Sequence, residues 1–128
     1  MGVKAETSFQ QRLQVMIKRR GGYVKKNHGN MITERGRSDL SFTYRGLSLY
    51  WEVKTPEDPT DVSEQQGIHC RLAKKAGGIT AVISDMMQAE TILDHIDYCL
   101  AQEYPIPTIL DEMNAFYAKL GFDDGTKY

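Results

Sequence analysis

The sequence has no apolar run near the roughly 20 residues that a membrane-spanning helix requires, which excludes an ordinary helical span. It has only two cysteines, Cys70 and Cys99, which form neither a disulfide framework nor a paired CxxC zinc site. They read as reduced thiols. The three histidines, His28, His69 and His95, are scattered. His95 and Cys99 stand four apart on one helical stretch, but no further ligands complete a zinc set. Repeats, low-complexity tracts and interdomain linkers are missing too, so residues 1–128 read as one domain with one hydrophobic core. Residues 1–14 lack the apolar centre of a secretory signal, which predicts an intracellular, cytoplasmic protein. Net charge is also low, at −1 from 16 basic and 17 acidic residues, which argues against a generally basic polyanion binder.

The charge that is present is unevenly placed. Residues 1–54 carry 11 Lys and Arg against 4 Asp and Glu, a balance of +7, and residues 55–128 carry 5 against 13, a balance of −8. Such asymmetry suggests a basic face for a polyanion. The alternative is a fold that interleaves the two halves and cancels the field.

Periodicity gives the elements. Glu6 to Arg20 is amphipathic, with Phe9, Leu13, Met16 and Ile17 in one stripe, and Gly21-Gly22 ends it. Tyr23 to His28 reads as a first strand and residues 29–36 as a polar loop. Leu40 to Tyr44 and Leu47 to Lys54 alternate strictly around Arg45-Gly46, which predicts a β-hairpin. After a loop at residues 55–62 come a helix over 63–76 closed by Gly77-Gly78, a buried strand over 79–84 and a helix over 86–100. Pro105 and Pro107 are expected to break the chain before a last helix, residues 108–120, that stops at Gly121. The order is α-β-β-β-α-β-α-α, an α/β (α+β) domain with a mixed sheet.

The hairpin also gathers charge. Leu40, Phe42, Tyr44, Leu47, Leu49, Trp51 and Val53 share the core face, which leaves Asp39, Glu52 and Lys54 together on the other. If Tyr44 pairs with Leu47, Asp39 stands opposite Glu52, with Cβ atoms about 5 Å apart. Like charges so placed are destabilising unless a cation neutralises them. A hard divalent ion does this and polarises a phosphate oxygen, while Lys54 is placed to hold an attacking water and offset charge on phosphorus. The plainer alternative is a solvated strand face with an ordinary Glu/Lys ladder.

From Glu6 to Ser84 the chain resembles the PD-(D/E)XK nuclease superfamily, and within it the VRR-NUC family. The resemblance rests on the order and spacing of a helix with an early Glu, Gly36-Arg37-Ser38-Asp39-Leu40, Trp51-Glu52-Val53-Lys54-Thr55-Pro56, Ser63-Glu64-Gln65-Gln66, and a helix ending in Gly77-Gly78 before a strand. It implies a restriction-endonuclease-like core over about residues 6–84 with a helical extension over about 86–121. It also implies that Asp39, Glu52 and the Val53 carbonyl hold Mg²⁺ or Mn²⁺ and that Lys54 is the catalytic lysine. Cleavage would then leave 5′-phosphate and 3′-hydroxyl ends. Glu6 lies in the apolar stripe of its helix; it reads either as a first-turn acid favoured by the helix dipole or, by the resemblance, as an accessory carboxylate. Gln66, three residues after Ser63, reads either as half of a capping box or as an active-site residue.

For DNA contact Arg35 and Arg37 come first because they flank Asp39; Lys25, Lys26, Arg19 and Arg20 follow, although Lys18-Arg19-Arg20 also reads as a solvated helix end. The function expected is a metal-dependent DNA endonuclease acting on branched DNA, junctions or flaps, in replication, recombination or repair. The rivals are an inactive DNA-binding module and a nuclease subunit of a larger complex. A homodimer is expected as well, because a minimal core has limited surface to bury both stripes, Ile92/Ile96/Leu100 and Leu110/Met113/Tyr117/Leu120, and two-fold symmetry would cover one of them; the alternative is that both helices complete the monomer's core.

Overall fold

The computed structural model describes residues 2–26, 39–54 and 63–126, with residues 2–7 and 25–26 described by backbone alone. The elements are α1 (Gly2–Arg19), β1 (Tyr23–Lys26), β2 (Leu40–Tyr44), β3 (Leu47–Val53), α2 (Glu64–Lys75), β4 (Ile79–Ile83), α3 (Met86–Ala101) and α4 (Ile106–Leu120). This is the order expected from the sequence. The expected loops at 29–36 and 55–62 lie outside the described residues. Most boundaries agree to within a residue, and two helix starts differ by more. Helix α1 begins before Glu6, and Pro107 does not break the chain but sits in the first turn of α4. A first-turn residue has no intrahelical partner for its N–H, so proline costs nothing there.

The sheet order is β1-β2-β3-β4. Strands β1, β2 and β3 run antiparallel, and β3 and β4 pair in parallel. Tyr44 pairs with Leu47, and Arg45 and Gly46 both have positive φ, 51° and 88°. Those angles make the two-residue turn whose twist matches its strands. Helix α2 is the crossover that a parallel β3–β4 pair requires, and it lies on the face opposite the main core.

That core holds Phe9, Leu13 and Ile17 of α1, the alternate residues Leu40, Phe42, Leu49, Trp51, Val53, Ala81 and Ile83 of the sheet, and residues of α3 and α4. Phe42 and Trp51 meet edge to face at 4.7 Å. Ala89, Ile92, Leu93, Ile96 and Cys99 of α3 are fully buried, as are Ile109, Met113 and Tyr117 of α4 to within a few per cent. The stripes from which a second copy is expected are therefore spent inside the monomer. Only Leu120 of that set is exposed, so these two stripes do not by themselves call for a second copy. Cys70 and Cys99 are free and buried. No helix among the described residues is long and apolar enough to cross a membrane.

The hairpin turn is locked to the helices through Asp97. Its carboxylate accepts from the buried Tyr44 hydroxyl at 2.7 Å, from Arg20 at 3.0 Å and from Arg45 at 3.1 Å. Arg20 also pairs with Asp94. Burial alone would raise the Asp97 carboxyl, but these hydrogen bonds outweigh it and hold the group below its ordinary value. Asp97→Ala strands the Tyr44 hydroxyl and is expected to cost about 2–3 kcal/mol, measured by urea denaturation. A carboxyl depressed in the folded state contributes fully above its ordinary value and loses that contribution as pH falls through the depressed one. Acid should therefore narrow the gap between variant and wild type.

Candidate active site

The site lies at the end of the sheet where β2 begins and β3 and β4 finish. Two edges set its parts. The ladder pairs Leu40 with Trp51, so one step further Asp39 stands opposite Glu52, as the turn register requires. Asp39 is half-buried and its Oδ2 accepts from the Val53 N–H at 2.8 Å. That bond ties its carboxylate to the C-terminal end of β3. On the other strand, Lys54 is half-buried and donates its N–H to the Ile83 carbonyl at 2.9 Å, which extends the parallel pairing past Val53.

Glu52 is not on a solvated face. It is 0% exposed, because α2 crosses over the side of the sheet that carries Tyr50 and Glu52. Gly78, just after α2, lies so close to the Tyr50 ring that a Cβ there would stand 2.7 Å from it. A carboxylate taken this far from water is costly unless partnered, and α2 supplies a partner. The Gln66 side-chain amide donates to Glu52 Oε2 at 2.7 Å.

The same Gln66 completes the capping box. Its Oε1 accepts from the Ser63 N–H at 3.0 Å, and its own N–H donates to Ser63 Oγ at 3.1 Å. The two readings of this residue are thus not alternatives. The cap fixes the amide plane, leaving Nε2 aimed at β3.

The donor set is two carboxylates and, at the strand end, a backbone carbonyl. These are hard oxygen donors, the chemistry that Mg²⁺ and Mn²⁺ prefer over soft metals. Among the described residues no group of three or more His, Cys, Asp or Glu side chains is gathered for a metal; Asp39 and Glu52 offer two such donors on paired strands. Glu6 belongs to α1, whose side chains before Ser8 are not described. Its helix runs from the site end of the fold: Ser8 and Met86 line one end of the groove between α1 and α3, and Arg20 and Asp94 the other.

The basic candidates divide by position. Lys26 pairs in register with Leu40, which puts the end of β1 beside Asp39. Arg35 and Arg37 lie outside the described residues. Arg19 is exposed at the last turn of α1, at the opposite end of the sheet from Asp39. Arg20 is half-buried and its guanidinium is paired with Asp94 and Asp97.

Sequence reasoning did not single out the segment Phe122–Thr126, nor Cys70 beneath it. The segment hydrogen-bonds to β4 and α2, and nothing in its composition signals that.

No family model matches the chain, and no curated protein matches it. Among solved structures, a VRR_NUC domain superposes with a TM-score of 0.59 at 23% identity, over 70% of this chain and 95% of that one. Hjc, a Holliday junction resolvase of Archaeoglobus fulgidus, superposes with a TM-score of 0.50 at 20% identity, over 62% of this chain and 67% of that one. With its four-stranded mixed sheet and the α2 crossover, the chain shares the fold of these two proteins.

Proposed function

We propose that this protein is a divalent-metal-dependent DNA endonuclease, selective for branched DNA, with Asp39, Glu52 and Lys54 at its centre. The observation that carries the reading is the pair of opposed carboxylates, one bonded to the Val53 N–H and the other buried against Gln66. A surface ladder does not bury one of its acids, and a module that only binds DNA has no use for opposed carboxylates, one of them fully buried. Asp39, Glu52 and the Val53 carbonyl would hold Mg²⁺ or Mn²⁺. Such an ion, when bound, supplies Lewis-acid polarisation of a phosphate oxygen.

The chain's own residues do the rest. Asp39 and Glu52 are fixed by their hydrogen bonds before substrate arrives, so no reorganisation is needed in the transition state. Strand alternation puts Lys54 on the same side as Glu52, where its ammonium holds the attacking water in line and offsets charge gathering on the phosphoryl oxygens. Lys25 and Lys26 at the end of β1, with Arg35 and Arg37 by their nearness to Asp39 in sequence, are the proposed phosphate contacts. Arg20 is left out because it is paired.

The test is incubation of the purified protein with labelled duplex, flap and four-way junction DNA, with and without Mn²⁺. The expected result is Mn²⁺-dependent cutting of the junction or flap in preference to duplex. Binding without cutting under every metal condition would favour the DNA-binding module instead.

A further inference from the structure

Beyond α4 the chain turns at Gly121 and runs along the outer edge of β4. Val82 N–H donates to the Asp123 carbonyl at 2.8 Å, and the buried Thr80 hydroxyl donates to the Asp124 carbonyl at 2.6 Å. Lys74, in the last turn of α2, pairs with Asp124 at 2.5 Å. The segment is also tied within itself. Asp124 accepts from the Thr126 N–H and hydroxyl, and Asp123 accepts from the Gly125 N–H. One consequence is general, since these bonds cover the open edge of the sheet.

The second consequence is specific. Gly125 is buried with φ 81°, and a Cβ built on it would stand 2.7 Å from the Cys70 sulfur. Cys70 is itself fully buried. It lies one helical turn after Gln66, on the same side of α2. Burial pushes its thiol up to about 12, with Glu52, Asp124 and Asp123 adding to the effect. One turn apart on α2, Gln66 bonds to Glu52 and Cys70 packs beside Gly125.

We infer that residues 123–126 are a positioning element for the candidate active site: through Cys70 they set how closely α2 lies over β3, and so hold Gln66 on Glu52. The Gln66–Glu52 bond is 2.7 Å long, and such bonds are lost by about 3.5 Å, so a shift of α2 of under an ångström is enough to break it. The inference rests on the reading of Glu52 as a functional carboxylate. Gly125 and Cys70 touch no reacting group and act only through α2.

The test uses the full chain and begins without metal. Gly125→Ala drives a methyl into the Cys70 sulfur. The Gln66 side-chain amide resonances should then move to solvent-like positions and exchange faster. Mn²⁺ affinity should fall about tenfold, the low end for loss of an outer partner to a metal ligand, and kcat should fall with KM for DNA unchanged. The double variant Cys70→Ala/Gly125→Ala keeps the same backbone strain but makes room for the methyl, and it should restore both the resonances and the affinity. Thr80→Val, which removes one bond to the segment without a clash, should give a smaller shift of the same sign if Gly125→Ala folds poorly. Unchanged Gln66 resonances and Mn²⁺ affinity in Gly125→Ala, even with a lower Tm, would reduce the segment to edge cover and overturn the inference. Absence of Mn²⁺ binding in the wild type would instead overturn the metal reading of Glu52, and the Gln66 resonances would still decide the positioning.

Discussion

Lys54→Ala is expected to abolish DNA cleavage while leaving DNA affinity within a few-fold of wild type. The backbone at Lys54 is held by Ile83 through the extension of the parallel pair, so truncating the side chain leaves the strand end in place. Affinity for a polyanion comes from phosphate contacts spread over many cations, and one ammonium is a small part of them. The transition state is different, because in the proposed mechanism its added charge develops beside the Lys54 ammonium. Removing a single preorganised donor from such a site costs about 100- to 1,000-fold in rate. Single-turnover cleavage compared with gel-shift affinity separates the two effects. A variant that cleaves near the wild-type rate would remove Lys54 from the mechanism.

The second large effect concerns Glu52. Glu52→Gln keeps the shape of a fully buried side chain and retains an oxygen to accept from Gln66. It removes the negative charge that a divalent cation needs. A ligand present at a hundred times its Kd stabilises the folded state by about 2.7 kcal/mol. For a chain of this size that is a Tm rise of roughly ten degrees, expected in wild type with saturating Mn²⁺. In Glu52→Gln the rise should nearly vanish and cleavage should be lost, with the metal-free Tm little changed. Equal Mn²⁺-induced shifts in the two proteins would show that Glu52 is not a ligand. Asp39 is best changed to Asn, since the Asp39 side chain also accepts from the Val53 N–H and alanine would disturb the strand end as well.

Which features were legible in the sequence follows from the range over which each is specified. The hairpin is local: strict alternation on both sides of Arg45-Gly46 fixes the register, and that register alone puts Asp39 opposite Glu52. The helices are local as well, through their stripes and glycine stops. What covers the second face of the sheet is not local. The burial of Glu52 depends on α2 crossing over β3, and alternation reports only that Glu52 lies off the core face. Gln66 was legible as a cap because Ser63 is three residues away. Its bond to Glu52 was not, because it spans 14 residues and two elements. The pairing of Arg20 is hidden from the sequence for the same reason, since its partners Asp94 and Asp97 are 74 and 77 residues distant. The apolar stripes of α3 and α4 were read correctly as stripes, but periodicity does not say whether the covering surface belongs to the same chain. Here it does, with Ile92, Ile96 and Met113 inside the monomer core. Phe122–Thr126 has no period at all, and only its contacts with β4 and α2 reveal that it is structured.

The central claim is that Asp39, Glu52 and the Val53 carbonyl form one divalent-metal site. Anomalous diffraction from crystals soaked with Mn²⁺ tests it most directly. A single strong peak is expected, bonded to both carboxylates and to that carbonyl, with Gln66 still on Glu52. No peak at that position, in protein from a preparation that cuts DNA, would contradict it.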